Sequence, residues 1–222
     1  MALRNVASVN VSGYSTLREM RRAKPYHHGN LREALLEGAI RLIAEVGPTA
    51  FTLREVARRA GVSHNAPYRH FRDKHDLMSA VATQGYRELT EAMLDAAEHQ
   101  RNALDRLKHA GLAYVAFAMR RPEYFAVMFD APVSKHKKAD AAEARERAFG
   151  TLRNFVKNCQ DEGQLPSGEP LEFALLAWSM VHGIAKLAIT GRLPYHSKSD
   201  VLKFAEFVIN RSLPVRAFPI PP

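Results

Sequence analysis

Cysteine is nearly absent from this chain. Cys159 is the single one, so neither an internal disulfide nor a thiolate zinc site can form, which fits a reducing compartment. Tryptophan also occurs once, at Trp178. No unbroken apolar run approaches the ~20 residues of a membrane-spanning helix, and the first residues lack the apolar core of a signal peptide. A cytoplasmic protein without membrane contact is therefore expected. The chain has no Gly-x-Ser-x-Gly elbow, phosphate-binding loop, His-Glu-x-x-His motif or paired carboxylates in a plausible pocket, so neither an enzyme nor a cofactor is expected. No alternating apolar and polar run bounded by turn residues occurs, which argues against a sheet.

What is present is an ordinary globular composition with an uneven charge. Of the 222 residues, 46% are hydrophobic, enough for one large domain or two small ones. The net charge is +9, and residues 1–80 hold 13 Lys and Arg against 7 Asp and Glu, so two-thirds of the excess lies in the N-terminal third. Localised basic charge favours a polyanion partner, because neutralised phosphates release condensed counterions.

Residues 1–25 lack periodicity and carry Arg4, Arg18, Arg21, Arg22 and Lys24; they are read as a disordered basic arm or as an N-terminal extension without a role. Helical patterning begins at Asn30, where Asn30 and Glu33 form a capping pair ahead of Leu31, Leu35, Leu42 and Val46, and Gly47-Pro48 stops it. Thr52 and Glu55 make a second capping pair, predicting a helix from Leu53 to Ala60 that ends at Gly61. Ser63 is placed to cap a third helix, His64 to Phe71, and Asp73 with Asp76 starts a fourth, long one. Beyond residue 100 the spacing predicts helices over about 103–119, 122–129, 139–162, 170–190 and 198–211. The end, Pro219-Ile220-Pro221-Pro222, cannot continue a helix, so 214–222 is read as a loose tail. An all-α fold is expected, with a basic head over 26–73 and a helical domain over 74–213.

The segment Thr52 to Phe71 carries the most information. Val56, Ala57, Ala60, Val62 and Phe71 are small or apolar where two short crossed helices must touch, and Gly61 sits in the turn between them. This is a helix-turn-helix pattern, whose second helix lies in the major groove. That helix offers His64, Asn65, Tyr68, Arg69 and His70, all able to donate hydrogen bonds. Upstream, His27 and His28 lack a third ligand nearby, so they read as phosphate-facing or merely exposed and no metal is expected.

GVSHNAPYRHFRDKHDLM resembles the recognition helix and following helix start of TetR-type repressors, with Gly61, Val62, Ser63, Tyr68, His70, Phe71, Lys74 and Leu77 matching. The resemblance covers about residues 26–78. It implies that Tyr68, His70 and Lys74 hold phosphates, that Thr52 holds another, and that His64 and Asn65 face bases; Asn pairs bidentately with adenine. Pro67 replaces the leucine usual at that position, and an altered start to the helix is expected, with the helix retained. Further on, WSMVHG, from Trp178 to Gly183, is similar to the Trp-His-Gly C-terminal domain of one branch of the same family.

Residues 170–190 carry two apolar stripes: Leu171, Leu175, Trp178, His182 and Ile189 on one face, and Phe173, Ala177, Met180, Ile184 and Leu187 on the other. A helix apolar on both sides must be covered on both sides. The second stripe, with Phe204, Phe207 and Val208 of the last helix, is the expected interface of a two-fold homodimer. Trp178 and His182, one turn apart, are the candidate lining of an effector cavity together with Tyr114, Phe117, Phe125, Met128, Phe129 and Phe155. The resulting expectation is a transcriptional regulator, of repressor type by resemblance, that binds a palindromic double-stranded operator and is released by a small, largely apolar effector. Whether it represses or activates depends on where the operator lies. A helical DNA-binding protein without an effector, or a helical enzyme, are the rival readings.

Overall fold

The computed structural model describes residues 31–129 and 139–213. The expected basic arm, the His27–His28 pair, the Asn30 cap and the tail over 214–222 all lie outside the described residues. Within them there are eight α-helices and no strand: α1 (Leu31–Val46), α2 (Leu53–Arg59), α3 (Lys74–Glu98), α4 (Ala103–Arg120), α5 (Pro122–Phe129), α6 (Ala139–Asp161), α7 (Pro170–Ile189) and α8 (Lys198–Ser212).

The starts of these helices follow from single side chains that satisfy otherwise orphaned amides. At α2, Thr52 Oγ1 accepts from the Glu55 amide at 3.3 Å while Glu55 Oε2 accepts from the Thr52 amide at 2.7 Å, so the capping box closes in both directions. Asp73 Oδ1 accepts from the Asp76 amide at 2.8 Å at the start of α3, Asn102 serves α4 in the same way, and Ser197 serves α8. Gly61, at φ +70°, supplies the left-handed residue after α2.

The third expected helix differs. Residues Ala66–Arg69 form a single 3-10 turn, with Asn65 as its N-cap and no side-chain cap bond, so Ser63 does not cap it. Pro67 is the cause. It has no amide to return to the Ser63 carbonyl; the Ala66 amide takes that carbonyl instead at 2.9 Å, and the chain tightens to three-residue spacing. The turn stays anchored because Pro67 and Phe71 are buried.

One hydrophobic core runs from α1 to the end of α8. In the head, α1 packs on α2 and α3, and the Arg59–Glu45 ion pair ties α2 to α1. In the larger part, α3 packs on α4, α5 and α6, while α4 lies between α3 and the α7–α8 pair. Arg121, between α4 and α5, reaches Glu88 of α3 at 2.9 Å and Glu123 at 2.8 Å. Although no unbroken apolar run exists, α7 is long and apolar enough to cross a membrane by length and composition alone, with a mean hydropathy of 1.3. Here its small side chains Ala174, Val181 and Ala185 are buried, and it packs against α4, α6 and α8.

Among the described glycines the tightest is Gly85, where a Cβ would stand 2.7 Å from Met128 Sδ and 3.1 Å from Tyr124 Cδ1. Two effects compete in Gly85→Ala. Helix propensity favours alanine by about 1 kcal/mol. Overpacking costs about 1–3 kcal/mol, and it wins because Tyr124 is fully buried and cannot retreat. Gly85→Ala is expected to lower the thermal midpoint; an unchanged or raised midpoint would show that the α3–α5 contact is loose.

Candidate nucleic-acid interface and effector cluster

The 3-10 turn and the residues before it form one polar, solvent-facing surface. Ser63, His64, Asn65, Tyr68, Arg69 and His70 are all exposed, Tyr68 by 53%. Among the described contacts none of these side chains makes a hydrogen bond inside the protein, so their donors and acceptors are available to an external partner. Thr52 is exposed beside them, but its hydroxyl is engaged: it donates to Glu55 Oε2 at 2.9 Å as well as accepting from the Glu55 amide. These hydrogen bonds, from the Thr52 hydroxyl first and its amide second, hold the Glu55 carboxyl below the ordinary range, helped by Arg58 and Lys74. A phosphate at Thr52 must therefore exchange with a carboxylate.

Lys74 is placed differently from the phosphate ligand that the resemblance implies. Its Nζ donates to the Thr49 carbonyl at 2.7 Å and the Phe51 carbonyl at 2.9 Å, and it lies 4.1 Å from the centre of the Phe51 ring. Partial burial lowers the pKa of the amine, and the Glu55 carboxylate acts against that shift. The side chain staples the loop before α2 to the start of α3 and retains at most one N–H for DNA. Lys74→Met is accordingly expected to destabilise the fold by about 1–3 kcal/mol, because two carbonyls lose a charged donor. A pure phosphate ligand would weaken DNA binding with no change in the thermal midpoint, and thermal unfolding separates the two. Asn65→Ala, by contrast, should relax preference at one base position by about 1–3 kcal/mol, whereas Tyr68→Phe should weaken binding to all sequences alike. Selection from random DNA checks this; an unchanged selected sequence for Asn65→Ala would remove Asn65 as the reader.

In the larger part, five of the eight expected cavity residues come together. Tyr114 and Phe125 are buried, while Phe129, Trp178 and His182 are half-buried around them. Phe125 stacks on His182 with ring centres 5.3 Å apart and planes at 24°, and Phe129 meets His182 edge-on at 4.8 Å. Trp178 Nε1 donates to the Tyr114 hydroxyl at 3.1 Å, and that hydroxyl lies 2.8 Å from His182 Nδ1. The other three belong to the same hydrophobic core as Tyr114 and Phe125 or pack against it. Phe117 and Phe155 are buried in the main core with no ring contact to the cluster among the described residues, and Met128 turns toward Gly85. Sequence reasoning missed Phe149 of α6, which packs edge-on against Trp178 at 6.0 Å, and Tyr86 of α3, which meets Phe129 at 6.0 Å. Phe149 begins a one-face stripe with Leu152 and Val156 that could have revealed it. A separate open groove of about 260 Å³, lined by charged side chains including Arg87, Glu91, Asp140 and Arg147, lies between α3 and α6.

The expected interface stripe on α7 needs correction. Ala177 and Ile184 are buried within the chain, Phe173 and Met180 are half-buried, and only Leu187 is exposed. Leu171 and Leu175, assigned to the inward face with Trp178 and His182, are exposed along with Leu176 at 53%. On α8, Phe207 is 61% exposed while Phe204 and Val208 are half-buried. The reason is packing distance: Ala174, Ala177, Val181 and Ala185 let α7 lie close to its neighbours, so the small residues turn inward and the leucines outward.

Residues 35–81 match the family model for bacterial regulatory proteins of the tetR family, and residues 107–211 match the tetracyclin repressor-like C-terminal domain. The HTH-type transcriptional repressor Rv3405c of Mycobacterium tuberculosis (strain ATCC 25618 / H37Rv) is 39% identical over 61 residues, 28% of this chain and 32% of that protein, so the match spans about a third of that relative. A solved structure of a protein with unknown function from Rhodococcus sp. RHA1 is 34% identical, with a TM-score of 0.74 over 85% of this chain and 98% of the other. The structure of AibR in complex with isovaleryl coenzyme A and operator DNA shares the fold, at a TM-score of 0.65 and 19% identity over 83% of this chain and 98% of that one. With both of its parts matched by the family's models, the chain is a transcriptional regulator of the TetR family.

Proposed function

We propose that this regulator binds a near-palindromic operator as a homodimer, through a head over 26–73, and leaves it when a small, largely apolar effector enters the aromatic cluster of the domain over 74–213. The observation that carries the reading is the outer face of α7 and α8. Leu171, Leu175, Leu176, Leu187 and Phe207 stand exposed on two neighbouring helices, and such a face on a soluble chain is covered most simply by a second copy related by a two-fold axis. Two-fold symmetry then matches two heads to half-sites about 34 Å apart on the duplex. Operator binding sets the place of action in the bacterial cytoplasm. The ligand part of the reading is supported by the rings converging on His182 and by a fold shared with AibR, solved with isovaleryl coenzyme A and operator DNA.

Introducing Leu176→Glu together with Phe207→Glu is expected to give a folded monomer by analytical ultracentrifugation. Its operator affinity should fall roughly 100-fold or more, because the second head no longer binds at high effective concentration. A variant that stays dimeric and binds the operator normally would refute this interface. Binding to DNA that is indifferent to salt would refute the head.

A further inference from the structure

Lys74 spends its ammonium group on two carbonyls of its own chain, so the head must offer other cations to a duplex. Several are engaged as well. Arg59 pairs with Glu45, Arg41 with Glu37, and Arg72 Nε stands 3.8 Å from the buried Asp76 carboxylate. Arg32, in the first turn of α1, is different: it is exposed and makes no hydrogen bond or ion pair among the described contacts. The positions of α1 that could bring a carboxylate beside it, three and four residues on, are Leu35 and Leu36, both buried. Glu33, the next residue, lies about 100° round the helix.

A ring contact fixes where this cation stands. Arg32 Cζ lies 5.6 Å from the centre of the Phe71 ring. Phe71 is buried and closes the 3-10 turn, its amide donating to the Pro67 carbonyl at 2.9 Å. The exposed His70 ring meets the same Phe71 ring at 6.4 Å between centres. One buried ring thus joins the start of α1 to the end of the turn, with an exposed guanidinium and an exposed imidazole at its edge. A guanidinium that meets a ring through its face keeps its N–H groups directed outward in its own plane, a fork that matches two oxygens of a phosphate diester. Arg32 belongs to α1 and not to the element that enters the groove, and in a helix-turn-helix the elements ahead of the reading one meet the backbone. We propose that Arg32, held on Phe71, binds a backbone phosphate of the operator beside His70 and makes the contact that Lys74, already engaged, leaves open. The inference rests on the head being the DNA-binding part.

The plainer role for Arg32 is to cover Phe71, and the two roles part in their salt dependence. Each phosphate neutralised by a side chain changes the slope of log K against log salt by about 0.9. The full-length protein is titrated at a series of salt concentrations with a duplex recovered by selection from random DNA, and with a random-sequence duplex of the same length. Arg32→Met, shown folded by circular dichroism, keeps an unbranched apolar stem over the ring and removes the charge. Its slope should be shallower by about 0.9 for each bound head, on both duplexes alike, with the selected sequence unchanged. Arg32→Lys keeps the charge and should restore the native slope. A native slope in Arg32→Met, a loss in Arg32→Lys as large as in Arg32→Met, or an altered selected sequence would each overturn the phosphate role while leaving the head as the DNA-binding part. Should Arg32→Met not fold, Arg32→Gln carries the same comparison. If binding by the native protein is itself indifferent to salt, the head reading falls and Arg32 with it.

Discussion

Helix α3 belongs to both parts of the molecule at once, and the rest of the structure depends on how it is held. Its first turn is fixed to the head by the Asp73 cap, by the Asp76 carboxylate accepting from the Arg72 amide at 3.1 Å, and by Lys74 reaching the carbonyls before α2. Eleven residues on, Gly85 lets α5 approach closely, and Glu88 holds Arg121. At 1.5 Å per residue the two anchor points are about 16 Å apart on one rigid rod. A tilt imposed at the Gly85 end is therefore carried along the rod to the Asp73 cap and Lys74, where α3 is fixed to the head.

Helix α5 is the short element that can impose such a tilt. Phe125 and Phe129 lie in the aromatic cluster, while Tyr124 and Met128 pack on α3 at Gly85, and the helix also touches α1. About two turns of helix thus face the cluster on one side and α3 and α1 on the other. Packed helices move between discrete arrangements more readily than they deform. A change in the cluster that displaces Phe125 or Phe129 bears on the same helix that positions α3.

The 3-10 turn shows how little regular structure a polar, exposed surface needs. A 3-10 turn advances about 120° per residue against about 100° in an α-helix, and here Tyr68, Arg69 and His70 are exposed while Pro67 and Phe71 anchor the segment from below. Proline removes one amide but adds a buried ring, so a local loss of hydrogen bonding is offset by packing.

Except for the turn at Ala66–Arg69, helix identity and boundaries were legible from the chain alone, because caps act over three or four residues. Thr52 with Glu55, Asp73 with Asp76, and Gly61 each announce a boundary without reference to anything distant. The polar surface from Ser63 to His70 was legible for the same reason, and so was the meeting of Trp178 with His182 one turn on. Three things were not. The tightening at Pro67 depends on which amide captures the Ser63 carbonyl, the engagement of Lys74 depends on a loop some twenty-five residues earlier in the chain, and the inward face of α7 depends on how closely its neighbours approach. The sequence by itself determined the helices, their order and the chemistry of the head, since those rest on local hydrogen bonds and periodicity. Only the tertiary structure decided which side of α7 is buried and which donors are already engaged, because burial and hydrogen-bond occupancy are properties of contacts between distant segments.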